Sequence, residues 1–222
     1  MQNKMYIDIK NDINLISKMV FGQMELISEV LDKPQTSVLA EKIKDNENLI
    51  DSVEVKIRSE VISAIVLYAP RAIDLRKIIA YYDINSYMER IGDHLYNISK
   101  SVKTLDYESE VYRNSIGPIK KMLEKVHKMT QNAIFATVYR DNVLSRDIIV
   151  SDEEVDEIKD QLVKQLTQTS NPSDFISAMM LVRIAQILER IGDAATSIAK
   201  SALFIIEGVD LRHESVIPKY DE

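Results

Sequence analysis

The chain has 222 residues, 45% hydrophobic and 28% charged, enough to bury a core in one large or two small domains. Thirty-five acids against 28 bases give a net charge of −7. With no basic stripe to reverse it, that surface argues against nucleic-acid binding. The absence of cysteine removes disulfides, zinc–thiolate sites and thiol catalysis.

Five glycines and five prolines are few against average usages of about 7% and 5%, and they predict long helices. The polar opening from Met1 to Lys10 has no signal-peptide core. The longest apolar stretch, around Val61–Ala69, is too short to span a bilayer. A cytoplasmic location is expected, with membrane contact only through partners.

Six helical segments are readable in chain order. Met5–Leu31 places Ile9, Ile13, Ile16, Val20, Ile27 and Leu31 at helical spacing, and Asp32-Lys-Pro34 breaks it. The second segment runs to about Tyr68. Leu39, Ile43, Ile50, Val53, Ile57, Val61 and Ala64 share one side, and Ala69-Pro70 ends it. The third spans about Arg71–Leu105. The polar run Asp106–Glu110 follows and divides the chain, so residues 1–106 and 107–222 are expected to form two units.

The fourth segment covers about Val111–Leu144, with Gly117-Pro118 as an alternative start. The fifth runs from about Arg146 to Thr169, and Ser170-Asn-Pro-Ser173 is a stop and restart. The sixth covers about Asp174–Glu207, with Gly208 as its C-cap. The expected fold is all-α: six long helices forming two tandem three-helix bundles.

The pentapeptide Glu-Arg-Ile-Gly-Asp occurs at Glu89–Asp93 and again at Glu189–Asp193. At the same offset Asp74 meets Asp174, Ile84 meets Ile184, Ile98 meets Ile198, and Lys100-Ser101 meets Lys200-Ser201. One half is therefore a diverged copy of the other. Ile84, Ile91, Ile98 and Leu105 are spaced in heptads, as are Ile184, Ile191, Ile198 and Ile205. That spacing turns one stripe toward neighbouring helices. Gly92 and Gly192 sit mid-helix, where glycine costs about 1 kcal/mol against alanine. Either a neighbouring helix approaches closely there, or the space serves a metal or a partner.

Glu89 and Asp93 lie one helical turn apart on a face roughly opposite Ile91, and so do Glu189 and Asp193 opposite Ile191. This places both pairs on the bundle surface. Like charges at this spacing repel, and a hard cation relieves the repulsion, since carboxylate oxygens suit magnesium, calcium, manganese or iron. The second helix of each half carries the same spacing in Glu47 with Asp51 and Asp152 with Asp156. Acidic pairs are also common on solvated helix faces, and spacing alone does not bring the second and third helices' acids together.

The segment from Glu89 through His94, Asn97 and Ile98 resembles the signature of the PhoU family. Ala69-Pro70 through Asp74-Leu-Arg76 is similar to that family's turn motif. Glu47-x-x-Ile-Asp51 and Asp152-x-x-Val155-Asp156 resemble its second-helix motif, and Gly208 to His213 its closing motif. The resemblance implies two PhoU repeats and a homodimer. It also implies an adaptor that restrains phosphate uptake and starvation signalling by coupling a Pst-type phosphate transporter to a phosphate-sensing histidine kinase. It further implies surface binding of iron, zinc or magnesium through Glu47, Asp51, Glu89, Asp93, Asp152, Asp156, Glu189 and Asp193. The chain departs from the pattern at Tyr68-Ala69, Ala194 and Ser197, so the two acidic sites are not expected to be equivalent.

Glu124-x-x-His127 matches one piece of a di-iron motif, but that architecture needs two such pieces and two more glutamates. There is no glycine-rich phosphate loop and no Ser/His/Asp signature, so no enzyme is expected. The remaining alternative is a carboxylate-rich metal-binding protein or metalloenzyme on a helical scaffold. His94 is expected to pack or to lie at an interface, and Met179 and Met180 are expected in the core.

Overall fold

The computed structural model describes residues 2–32, 37–169 and 172–211, with residues 2–5 and 37 described in backbone only. These form six long α-helices and one short 3-10 turn. The helices are α1 Gln2–Asp32, α2 Ser37–Tyr68, α3 Ile73–Val102, α4 Glu110–Tyr139, α5 Asn142–Leu166 and α6 Phe175–Glu207. The turn, Pro172–Asp174, leads into α6. Arg212 and His213 of the closing motif lie outside the described residues, as do Lys33, Pro34, Ser170 and Asn171 of the two predicted breaks.

Helices α1, α2 and α3 pack together, and so do α4, α5 and α6. The two three-helix bundles meet mainly where α3 lies against α6, with a smaller contact between α1 and α4. The heptad stripes explain this. Ile84, Ile91 and Ile98 are fully buried, as are Ile184, Ile191 and Ile198, and Leu105 stays buried beyond the end of α3. Ile9, Ile16, Val20 and Ile27 of α1 and Ile43, Ile50 and Ile57 of α2 face the same core.

Three differences from the predicted elements have local causes. First, α4 starts before Pro118, at Glu110, because the Ser109 hydroxyl accepts a hydrogen bond from the Tyr112 amide at 3.2 Å and caps it. The predicted alternative start at Gly117-Pro118 is not used. Second, α4 ends at Tyr139 rather than Leu144, because Arg140 turns into the left-handed region at φ 57°. Asp141 then caps α5, its carboxylate accepting from the Leu144 amide at 2.9 Å. Third, Met179 is half exposed rather than in the core, while Met180 packs partly against it. Met179 sits beside Phe175 and Ile176 near the start of α6, where all three side chains reach solvent.

Gly208 closes α6 in the left-handed conformation at φ 80°, as its position predicts. An added Cβ there would lie 2.5 Å from the Arg76 guanidinium, which also faces the Phe204 ring. The α2–α3 turn motif and the start of the closing motif thus meet in space.

Candidate functional site

In the first repeat, Gln23 reaches across from α1 and joins three helices. It is fully buried, and its amide nitrogen donates to the Glu47 carboxylate at 2.9 Å and to the Gly92 carbonyl at 3.1 Å. Asn46 in turn donates to the Gln23 side-chain oxygen and to the Met19 carbonyl. Sequence reading missed Gln23. Its signal was a polar residue on the apolar stripe of α1, between Val20 and Ile27.

Close approach of a neighbouring helix accounts for both mid-helix glycines. An added Cβ on Gly92 would lie 3.1 Å from Ile50 Cδ1 and 3.2 Å from Glu47 Oε2. On Gly192 it would lie 2.9 Å from Asp152 Oδ1, with Val126 and Val155 behind at 3.7 Å. In each repeat the second helix approaches the glycine closely, and a carboxylate of that helix lies over it.

The fold therefore brings the acids of the second and third helices into one electrostatic group, which spacing alone did not show. Burial, then Asp51, Asp93 and Glu89, pushes the Glu47 carboxyl up to about 7, against a lowering by the Gln23 hydrogen bond. Burial, then Asp51, Asp93 and Glu54, raises Glu89. In the second repeat burial, then Asp193, Asp156 and Glu189, pushes Asp152 up to about 6. Burial, then Glu189 and Asp156, raises Asp193. The expected surface placement holds for Asp51, Asp93, Asp156 and Asp193, which are exposed. Glu89, Asp152 and Glu189 are half-buried, and Glu47 is only 7% exposed.

The two groups are not equivalent. Lys159 on α5 donates to Glu189 at 2.9 Å and lies 3.4 Å from Asp156 and 3.3 Å from Asp160. The register that pairs Glu47 with Asp152 and Asp51 with Asp156 sets Glu54 opposite Lys159. The second repeat thus holds an internal ammonium where the first holds another carboxylate, which among the described residues pairs with Arg58 at 3.6 Å. Asn97 donates to the Asp93 carboxylate at 3.2 Å, whereas Ser197 donates to the Asp193 main-chain carbonyl.

The first-repeat donors suit a hard cation in chemistry: carboxylate oxygens over a glycine, with no ammonium of the described residues among them. They are not a finished cage. Among the described residues, no three acidic or histidine side chains converge as ion ligands. His127 sits against Phe21 with ring centroids 5.8 Å apart, and its buried Nε2 has no hydrogen-bond partner among the described residues. His94 is half-buried beside α6. Burial lowers its pKa, Asp93 acts against this, and Arg190 and Arg90 add to the lowering.

The PhoU domain matches this chain twice, over residues 13–102 and 119–202. The chain belongs to the PhoU family. Two relatives are named phosphate-specific transport system accessory protein PhoU homologs. The one from Aquifex aeolicus is 32% identical over 96% of each chain. The one from Methanothermobacter thermautotrophicus is 29% identical over 90% of this chain and 91% of its own. The crystal structure of PhoU from Pseudomonas aeruginosa superposes with a TM-score of 0.87 at 24% identity, covering 94% of this chain and all of that one. The phosphate transport system regulatory protein PhoU from Streptococcus pneumoniae gives 0.85 at 19% identity, over 95% and 99%. Both structures support the all-α fold of this PhoU chain. Among its described residues, no helix is long and apolar enough to cross a membrane.

Proposed function

We propose that this PhoU chain is a regulatory adaptor that restrains phosphate uptake and phosphate-starvation signalling. It acts in the cytoplasm as a homodimer and couples a Pst-type phosphate transporter to a phosphate-sensing histidine kinase. The observation that carries the reading is membership in the family through both repeats, with relatives named as accessory proteins of that transport system. Residues 1–106 and 107–222 serve as its two repeats. A strain lacking the protein is expected to take up phosphate without restraint and to signal starvation at high phosphate. Normal uptake and normal signalling in that strain contradict the proposal.

In this reading Glu47, Asp51, Glu89 and Asp93 hold iron, zinc or magnesium. Asp152, Asp156, Glu189 and Asp193 bind it more weakly, because Lys159 already neutralises part of their charge. Elemental analysis of protein purified without chelator tests this. Metal content is expected to fall in E89A/D93A and less in E189A/D193A. Equal content in wild type and both variants removes metal from these sites. K159A is expected to raise metal uptake by the second repeat.

A further inference from the structure

The repeated pentapeptide contains one residue that the acidic groups do not use, the arginine. Arg90 and Arg190 each follow the glutamate of their motif, about 100° further round the helix. The glutamates turn toward the second helix of their own repeat, and the arginines toward the other repeat. Because α3 packs against α6, both guanidinium groups line one cleft of 170 Å³, together with His94, Asp193 and Ser197. Neither arginine makes a hydrogen bond or ion pair to another described residue. Arg90 acts on Glu89 and Arg190 on Asp193 only at a distance, so two guanidinium groups share one cleft without a hydrogen-bonded counter-ion among the described residues, and a bound anion supplies one.

We propose that this cleft binds a small tetrahedral oxyanion carrying a proton, of the hydrogen phosphate class, clamped between Arg90 and Arg190. The planar guanidinium fork matches oxyanion geometry, with parallel charge-assisted hydrogen bonds. A ring N–H of His94 is a further donor in the lining, while the Ser197 hydroxyl proton is given to the Asp193 main-chain carbonyl. Asp193 is an acceptor, and it pairs with the ion's own hydroxyl while repelling an anion that has none. That favours phosphate over sulfate. The volume lies below the roughly 300–1,000 Å³ of sites for drug-sized ligands, and so favours a free ion over a phosphate ester on a lipid. The cleft is separate from the first-repeat acidic group but shares Asp193 with the second-repeat one, so the protein is tested free of metal. Its test does not depend on the transport reading, because it measures phosphate binding by the purified chain.

The test is calorimetric titration of chelator-treated full-length protein with inorganic phosphate and with sulfate at fixed ionic strength. Arms with vesicles of phosphatidylcholine, with and without phosphatidic acid, distinguish a lipid source. Saturable binding of one phosphate per chain is expected, tighter than sulfate by about tenfold or more. Arg90→Gln and Arg190→Gln are each expected to weaken it by about tenfold or more, as removal of a charged hydrogen bond requires. Asp193→Asn is expected to narrow the gap between phosphate and sulfate. Both arginines lie at the surface, and unchanged melting of the variants shows that they are folded. Arg90→Lys keeps the charge without the fork and is expected to retain part of the affinity. Absence of saturable phosphate binding overturns the proposal. So does affinity unmoved by both arginine variants, sulfate binding as tight as phosphate, or binding seen only on phosphatidic acid vesicles.

Discussion

At the residue scale, the first repeat's acidic group is organised around a buried carboxylate over a glycine. Glu47 is fixed by Gln23, and Ile50 closes the other side of Gly92. An alanine at Gly92 must displace packed groups, so overpacking of about 1–3 kcal/mol outweighs a helix-propensity gain of about 1 kcal/mol. At Gly192 the nearest atom is the tip of the Asp152 side chain, which can swing aside. Urea unfolding is therefore expected to show Gly92→Ala destabilised by about 1 kcal/mol and Gly192→Ala near neutral. Equal effects contradict this difference between the repeats.

The same carboxylates set a pH dependence. Burial and neighbouring carboxylates push Glu47 up to about 7 from its ordinary 4.5, and Asp152 up to about 6 from 3.8. Their folded pKa values are raised, so the folded state keeps protons that the unfolded state releases. Stability is then highest below the unfolded values and falls as pH rises toward the folded ones. For chelator-treated protein, the urea midpoint is expected to drop between about pH 3.8 and 7 from these two groups. Glu47→Gln is expected to flatten the upper part of that drop. If a divalent cation binds the first repeat, its addition restores stability at pH 7 by mass action.

At the element scale, periodicity and breakers explain most of what was legible. The heptad isoleucines of α3 and α6 face the core, and Gly208 ends α6 as its position predicted. The α4–α5 turn was misplaced because it contains neither glycine nor proline. Arg140 takes the left-handed conformation instead, and Asp141 supplies the cap. Removing that cap as Asp141→Ala is expected to cost about 1 kcal/mol. Hydrogen exchange is expected to show faster opening of the first turn of α5, with α2 unchanged. Exchange that speeds equally in both helices contradicts a local role.

At the scale of the whole molecule, duplication does two things. It repeats an acidic group in each half, and it points one arginine from each half into a shared cleft. The sequence repeat made the acids legible as pairs. It could not reveal that second- and third-helix acids meet, because this depends on packing between helices. Nor could it reveal that Lys159 fills part of the second group, because an i,i+3 lysine near Asp156 reads as an ordinary surface pair until α6 brings Glu189 alongside. The asymmetry expected from Ala194 and Ser197 has a stronger physical source in Lys159 and Glu54.

The central claim is that this PhoU chain regulates a phosphate transporter according to phosphate supply. The most direct measurement is recovery of the tagged full-length protein from membranes of cells grown at high and at low phosphate, with bound proteins identified by mass spectrometry. The account predicts that a phosphate ABC transporter component or its partner histidine kinase is recovered, in amounts that change with phosphate. Recovery of neither component at either phosphate level, or recovery that phosphate does not alter, contradicts it.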